Sequence, residues 1–146
     1  MLGGKKLSAD DYNEIQNLYA YYNLCSDAGD AEGYASCFTE DGLLMAVGRD
    51  FRVQGRKNFV EFKKKDAAGR GGKYRRHWNG SLYLEKLDER TVRGRCYLNA
   101  YNGVPGSLPE LADVAVYEDT IIKGAQGWRF AERKLAFDGT TFRVPT

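Results

Sequence analysis

Residues 8–30 read SADDYNEIQNLYAYYNLCSDAGD, and the spacing of their apolar side chains decides what the rest of the chain has to cover. Ser8 with Asp11 three positions later matches a helix start, in which hydroxyl and carboxylate satisfy backbone N–H groups that have no partner in the first turn. Ile15, Leu18, Tyr19 and Tyr22 recur at three- and four-residue intervals and form one apolar stripe, with Asn13, Gln16 and Asn17 turned away from it. Asp27-Ala-Gly-Asp30 breaks this helix, and Asp30 is placed to cap a second, short helix carrying Tyr34 and Phe38.

Outward from that helix the periodicity changes. GLLMAV from Gly42 reads as a short strand, RDFRVQG as a turn with its returning partner, and RKNFVEFKKKDAAG as a third helix closed by Gly69. Four stretches, 74–86, 91–102, 111–123 and 127–137, have strand composition, separated by turn signals at Asp88-Glu89, Gly103 to Pro109 and Gly124 to Gly127. Helices first and long strands afterwards define an α+β fold. Strands of about ten residues coil strongly, so the expected architecture is a strongly curved antiparallel sheet wrapped around the long N-terminal helix and two shorter ones. The product is a cone with a pocket between sheet and helices. No repeat, low-complexity tract or linker divides the chain, so residues 1–146 read as one domain with its core at about 8–138.

The totals remove several classes of function. With 22 basic and 20 acidic residues, net charge makes no long-range demand for nucleic acid or an anionic membrane. The cluster Lys63, Lys64, Lys65, Arg70, Lys73, Arg75 and Arg76 straddles a helix end and a Gly-rich turn, where solvated lysines are expected. GRGGKYRR fails as a phosphate loop, because Ala67 stands where its first glycine belongs and Tyr74 replaces the Ser or Thr. Cys25, Cys37 and Cys96 have no paired spacing and read as reduced thiols of a cytoplasmic protein. The first 25 residues contain no apolar run that would serve as a signal or a span, so no membrane partner is expected. One histidine, dispersed cysteines and no carboxylate cluster offer no metal site, and no dinucleotide fingerprint or nucleophile elbow is present; no cofactor is expected.

His77, the single histidine, lies in RRHWNGSLYLE (residues 75–85). Strand alternation puts His77, Asn79, Ser81 and Tyr83 on one face and Trp78, Gly80, Leu82 and Leu84 on the other. That face suits either a pocket lining or a solvated sheet, and a carboxylate partner in the same cavity would decide for catalysis. Asp27 is the candidate, at the end of the long helix beyond Tyr19 and Tyr22. Its alternative is turn chemistry, although a carboxylate at a helix C-terminus is disfavoured by the dipole. In WRFAERKLAF, Arg129, Ala131, Arg133, Leu135 and Phe137 share a face. Arg133 among apolar neighbours needs an anion, either a structural carboxylate such as Asp119 or Glu118 or a substrate group.

The ordered set YYNLCSDAGDAEGYASCFTEDG, RDFRVQGRKNFVEF, RRHWNGSLYLE and GWRFAERKLAF resembles the SnoaL-like group of the nuclear-transport-factor-two-like superfamily, over about residues 8–138. The resemblance implies the cone fold and a homo-oligomer formed through the outer sheet face. It implies enzymes such as polyketide cyclases, scytalone dehydratase, bile-acid dehydratase, a dehydrochlorinase and ketosteroid isomerase. It also implies members without activity, as β subunits of dioxygenases or binding domains. By motif order His77 and Asp27 match the histidine and aspartate of the dehydratase and dehydrochlorinase types; Tyr22 matches a pocket tyrosine and Arg133 a pocket arginine. A second histidine found in scytalone dehydratase is missing here. The function so implied is a cofactor-independent lyase or isomerase acting on a small hydrophobic molecule through a His77–Asp27 dyad, with Tyr19, Tyr22, Arg133, Cys96 and Leu98 around the substrate. The alternatives are a polyketide cyclase, a small-molecule binding domain or an accessory subunit.

Overall fold

The structure is a computed structural model that describes Leu2 and residues 4–145. Helix α1 (Ala9–Ala28) begins at Ser8, whose Oγ accepts the Asp11 N–H. It ends at Gly29, where a positive φ of 71° lets the backbone N–H turn back to the helix carbonyls. The Asp11 carboxylate keeps a side-chain hydrogen bond to Ser8 and also reaches the sheet. It accepts the Trp128 indole N–H at 2.9 Å and Lys123 Nζ at 2.9 Å, while Glu14 accepts the Trp128 backbone N–H at 2.7 Å. The first turns of α1 are thereby fastened to the last hairpin of the sheet.

Helix α2 (Ala31–Ser36) is capped by Asp30 as expected. Phe38 falls beyond it, as the first residue of strand β1 (Phe38–Ala46). Strand β2 (Arg52–Gln54), helix α3 (Arg56–Ala68) and the long strands β3 (Tyr74–Asp88), β4 (Thr91–Gly103), β5 (Glu110–Gly124) and β6 (Gly127–Thr140) follow. They build one six-stranded sheet in the order β2-β1-β6-β5-β4-β3. All pairings are antiparallel except β1 with β6, which is parallel, so the sheet is mixed at that seam. The helical segment between β2 and β3 lets the chain cross from one sheet edge to the other. Among the described residues, no helix is long and apolar enough to cross a membrane.

Two bulges change which side chains face inward. In β3 the register shifts between Gly80 and Tyr83, with Ser81 at φ 54°. One inserted residue reverses the alternation, so His77 and Asn79 share the inner face with Leu82 and Leu84, not with Ser81 and Tyr83. In β6 the shift lies between Phe130 and Glu132. Trp128 and Phe130, rather than Arg129 and Ala131, therefore point inward with Arg133, Leu135 and Phe137.

The stripe of α1 is buried as its spacing requires, with Ile15, Leu18, Tyr19 and Tyr22 all in the core. Rings dominate that core: Phe38 stacks on Phe59 at 3.8 Å between centroids, and Tyr19 meets Phe130 edge-on at 5.0 Å. Arg133 sits in their midst, completely buried. Its Nε and Nη2 reach the two Asp119 carboxylate oxygens at 2.9 and 3.0 Å, and Tyr19 donates to Asp119 at 2.6 Å. The guanidinium lies 3.7 Å from the Tyr117 ring centre and 4.4 Å from that of Tyr22. Of the two partners the sequence left open for Arg133, the structural carboxylate Asp119 is the one it has. Gly94 makes room for this cluster, since a Cβ there would stand 2.2 Å from the Tyr19 hydroxyl.

Removing one member of a buried ion pair leaves the other uncompensated in a dry interior. Asp119→Ala should therefore lower stability by about 3–5 kcal/mol, read as the urea unfolding midpoint at unchanged slope; a loss under ~1 kcal/mol would contradict the structural role given to the pair.

Candidate active site

Between α3, the ends of α1 and α2, and the concave face of the sheet lies a cavity of about 670 Å³, within the range of small-molecule sites. One wall is apolar, with Leu44, Phe51, Phe62, Leu98, Leu135 and Phe137. Most of the rest of the lining is polar and is organised by the last turn of α1.

There Asp27 points at β3. Its Oδ1 lies 2.5 Å from His77 Nδ1, and its Oδ2 accepts the His77 backbone N–H at 3.1 Å. Both side chains are nine-tenths buried. A carboxylate accepting at Nδ1 places the imidazole proton there and leaves Nε2 as the basic nitrogen. Beside this pair Asn23 donates to Asn79 Oδ1 at 2.7 Å, a second tie between α1 and β3. Burial pushes the His77 proton affinity below its ordinary value of 6.5; the Asp27 hydrogen bond opposes this, and Arg75 adds to it. The ring is consequently neutral at pH 7.

The carboxylate at the negative end of α1 is a local mismatch, and Arg70 offsets it by binding the exposed helix carbonyls. Its Nη1 reaches the Asp27 carbonyl at 2.8 Å, and Nη2 reaches the Ser26 carbonyl at 2.6 Å and Asp66 at 2.9 Å. Arg75, two residues before His77, pairs with the buried Asp113 at 2.6 Å and with Asn102 at 2.8 Å. Lys63 is only 4% exposed; its Nζ donates to Ser26 Oγ at 2.8 Å and to Asp66 at 2.9 Å. Burial draws its pKa down to about 8 against the pull of Asp66.

The expectation of a solvated basic cluster is therefore corrected for three of its members: Lys63, Arg70 and Arg75 turn inward and hold the polar wall. Lys63 was legible as a position, since it lies one helical turn after the fully buried Phe59 on the same face of α3. The surrounding lysines concealed it.

The site residues inferred from sequence divide into two layers. His77, Tyr22 and Leu98 line the cavity, and Asp27 stands behind His77. Tyr19, Cys96 and Arg133 do not line it; they are buried beneath its floor, with Tyr19 and Arg133 committed to Asp119. Tyr22 shares its hydroxyl with Tyr34 at 2.8 Å.

A family model described as SnoaL-like domain matches residues 8–134. Among solved structures, a substituted form of Rv3472 from Mycobacterium tuberculosis, described as of unknown function, is 28% identical with a TM-score of 0.79, covering 90% of this chain and 78% of the other. An NTF2-like protein with a cystatin-like fold from Novosphingobium aromaticivorans is 26% identical with a TM-score of 0.75, covering 90% and 85%. A Catenulispora acidiphila protein in complex with S-DNPA is 26% identical with a TM-score of 0.76, covering 90% and 96%. No protein with curated annotation matches the sequence.

Because the chain has one histidine, its titration can be followed without assignment ambiguity. Nuclear magnetic resonance of the imidazole carbon-bound protons should give a midpoint below 6.5, and Asp27→Asn should move it lower still, since the carboxylate is what raises it. A folded-state pKa below the unfolded value means that His77 favours the folded state fully above pH ~6.5 and loses that contribution as pH falls through the lower midpoint. A midpoint above 6.5 would show that Asp27 outweighs burial.

Proposed function

The chain belongs to the SnoaL-like domain family, which includes polyketide cyclases and related enzymes, and from that premise we propose that it is a cofactor-independent lyase or isomerase acting on a small, largely hydrophobic carbonyl compound. The observation that carries this reading is the His77–Asp27 pair on the wall of the cavity. His77 Nε2 takes a proton from a carbon next to the carbonyl, and the C–H electron pair passes into the enolate. Asp27 holds the tautomer and stabilises the imidazolium that results. Expulsion of a leaving group from the β carbon completes an elimination; return of the proton at another carbon completes an isomerisation. Attack of the same enolate on a second carbonyl would give a cyclisation.

The apolar wall accommodates the body of the substrate, and the size of the cavity suits a molecule of two or three fused rings. A ring-bearing substrate is also supported by the aromatic character of Phe51, Phe62 and Phe137. Inward-turned Lys63, Arg70 and Arg75 remove the main reason for expecting a nucleic-acid partner. For a homo-oligomer, support comes from the outer face of the sheet, where Trp78 and Tyr97 stand 68% and 58% exposed. Light scattering should then show a dimer or higher assembly that Trp78→Glu weakens, and a monomeric wild type would refute it.

Exchange of α-hydrogens in heavy water, followed by mass spectrometry over a panel of cyclic aromatic ketones, should reveal a compound whose exchange the protein accelerates. On that compound His77→Gln should cost about a hundred- to ten-thousand-fold in rate, and Asp27→Asn a large part of the same loss while the protein stays folded. Full activity in His77→Gln rejects the base. Tight binding of ligands that all emerge unchanged would favour a binding domain instead.

A further inference from the structure

Two consecutive residues, Ser26 and Asp27, each hold an ionisable side chain that lines the cavity. Asp27 orients His77, and Ser26 Oγ accepts from Lys63 Nζ. Asp66 takes a second ammonium hydrogen of Lys63. An ammonium has three donors, and among the described residues no third nitrogen or oxygen acceptor meets Lys63, whose Nζ otherwise faces the Tyr34 ring. The side chain is buried and lines the same cavity as His77. Their charges sense each other, because Lys63 contributes to keeping His77 deprotonated.

We propose that Lys63 is a second catalytic residue, which donates its free ammonium hydrogen to the substrate oxygen on which negative charge develops as His77 removes the carbon-bound proton. The idea rests on the base role given to His77, and it specifies the substrate as a carbonyl compound whose oxygen lies at Lys63 while its acidic carbon lies at His77.

The charge distribution favours such a step. Among the inward-turned groups Lys63, Arg70 and Arg75 face Asp27, Asp66 and Asp113, three cations against three carboxylates, with His77 neutral, while Lys65, Lys73 and Arg143 line the solvent side of the cavity. Arg75 is matched by Asp113, while Lys63 and Arg70 share the single carboxylate of Asp66. The surplus positive charge at Lys63 and Arg70 therefore balances Asp27 before reaction. Once His77 is protonated, the imidazolium neutralises Asp27 and that surplus is released for the enolate oxygen. Lys63 keeps its proton throughout; the proton on His77 returns to carbon or leaves with the expelled group, so the protein ends as it began. A preorganised cationic donor on a buried side chain stabilises an oxyanion more than it would in water.

Lys63 is packed against Ser26 of α1, the Tyr34 ring of α2 at 4.4 Å and Asp66 of its own helix, and it senses the charges of Arg70 in the turn after α3 and Arg75 on β3. With its pKa near 8, the proton needed for donation is present at pH 7 and lost on the alkaline side, while His77 must be unprotonated. Turnover should thus follow a bell, with the acid limb set by His77 and the alkaline limb near pH 8 by Lys63.

2-Naphthol tests the oxygen site without requiring turnover, because its ionised form is a planar aromatic oxyanion that fluoresces differently from the neutral one. The wild-type protein should bind it with its ionisation constant raised at least about tenfold. Lys63→Met should bind it with the constant of the free compound, and Lys63→Arg should retain much of the effect. Lys63→Gln, which keeps hydrogen bonds to Ser26 and Asp66 without the charge, serves if the Met variant fails to fold. Binding of naphthol in neutral form by the wild type, or equal ionisation in wild type and both neutral variants, overturns the proposal. The double variant His77→Gln with Asp27→Asn, which removes the base together with the carboxylate that balances the surplus charge, should still ionise naphthol, so loss of α-hydrogen exchange in that variant reports on the base alone.

Discussion

The site depends on a carboxylate placed where a helix least favours one. Asp27 occupies the last turn of α1, where carbonyls without intrahelical partners give the helix end a partial negative charge. Three groups make the placement tenable: Arg70 covers the carbonyls of Ser26 and Asp27, and His77 supplies both its backbone N–H and Nδ1 to the carboxylate. The same contacts fix the geometry of the site, because they join α1, the turn after α3 and β3 at one point. A change to any of the three would move the imidazole as well as weaken the helix end.

Beneath this junction the fold has a second polar cluster that serves a different purpose. Arg133 and Asp119 pair across β6 and β5 under a layer of rings, and Tyr19 from α1 donates into the pair. A guanidinium needs its anion and suitable faces around it when removed from water, and Tyr117, Phe130 and Tyr22 provide the faces. The pair anchors the central strands to the long helix and leaves the cavity above it free for a ligand. Tyr22 belongs to both levels, touching the guanidinium below and lining the cavity above.

Much of the architecture was legible in local pattern. The three- and four-residue spacing of Ile15, Leu18, Tyr19 and Tyr22 specified a buried stripe, Ser8, Gly29 and Asp30 carried the stop and start signals of two helices, and the long β-rich stretches after Tyr74 specified coiled strands. The two misassigned strand faces share a cause. A strand reads as a strict alternation until a single extra residue reverses it, and Ser81 and Ala131 are such residues; neither is a glycine or proline that would have announced a bulge. The parallel seam between β1 and β6 was hidden because pairing partners distant in sequence leave no local mark.

At the site, the sequence by itself determined the chemistry at hand: one imidazole, an aspartate after a long helix, an isolated arginine in an apolar strand and a run of basic residues. Only the tertiary structure decided their uses. Fifty positions separate Asp27 from His77, and nothing in the spacing of either segment encodes their meeting; it follows from α1 packing across β3. Burial, which no residue type reveals, placed Arg133 beneath the floor and turned Lys63 from one lysine among several into an ammonium with two of its three hydrogens bonded, on the same cavity as His77. Composition fixes which protons and charges exist, and the packing of helix on sheet fixes which of them lose water and which face each other.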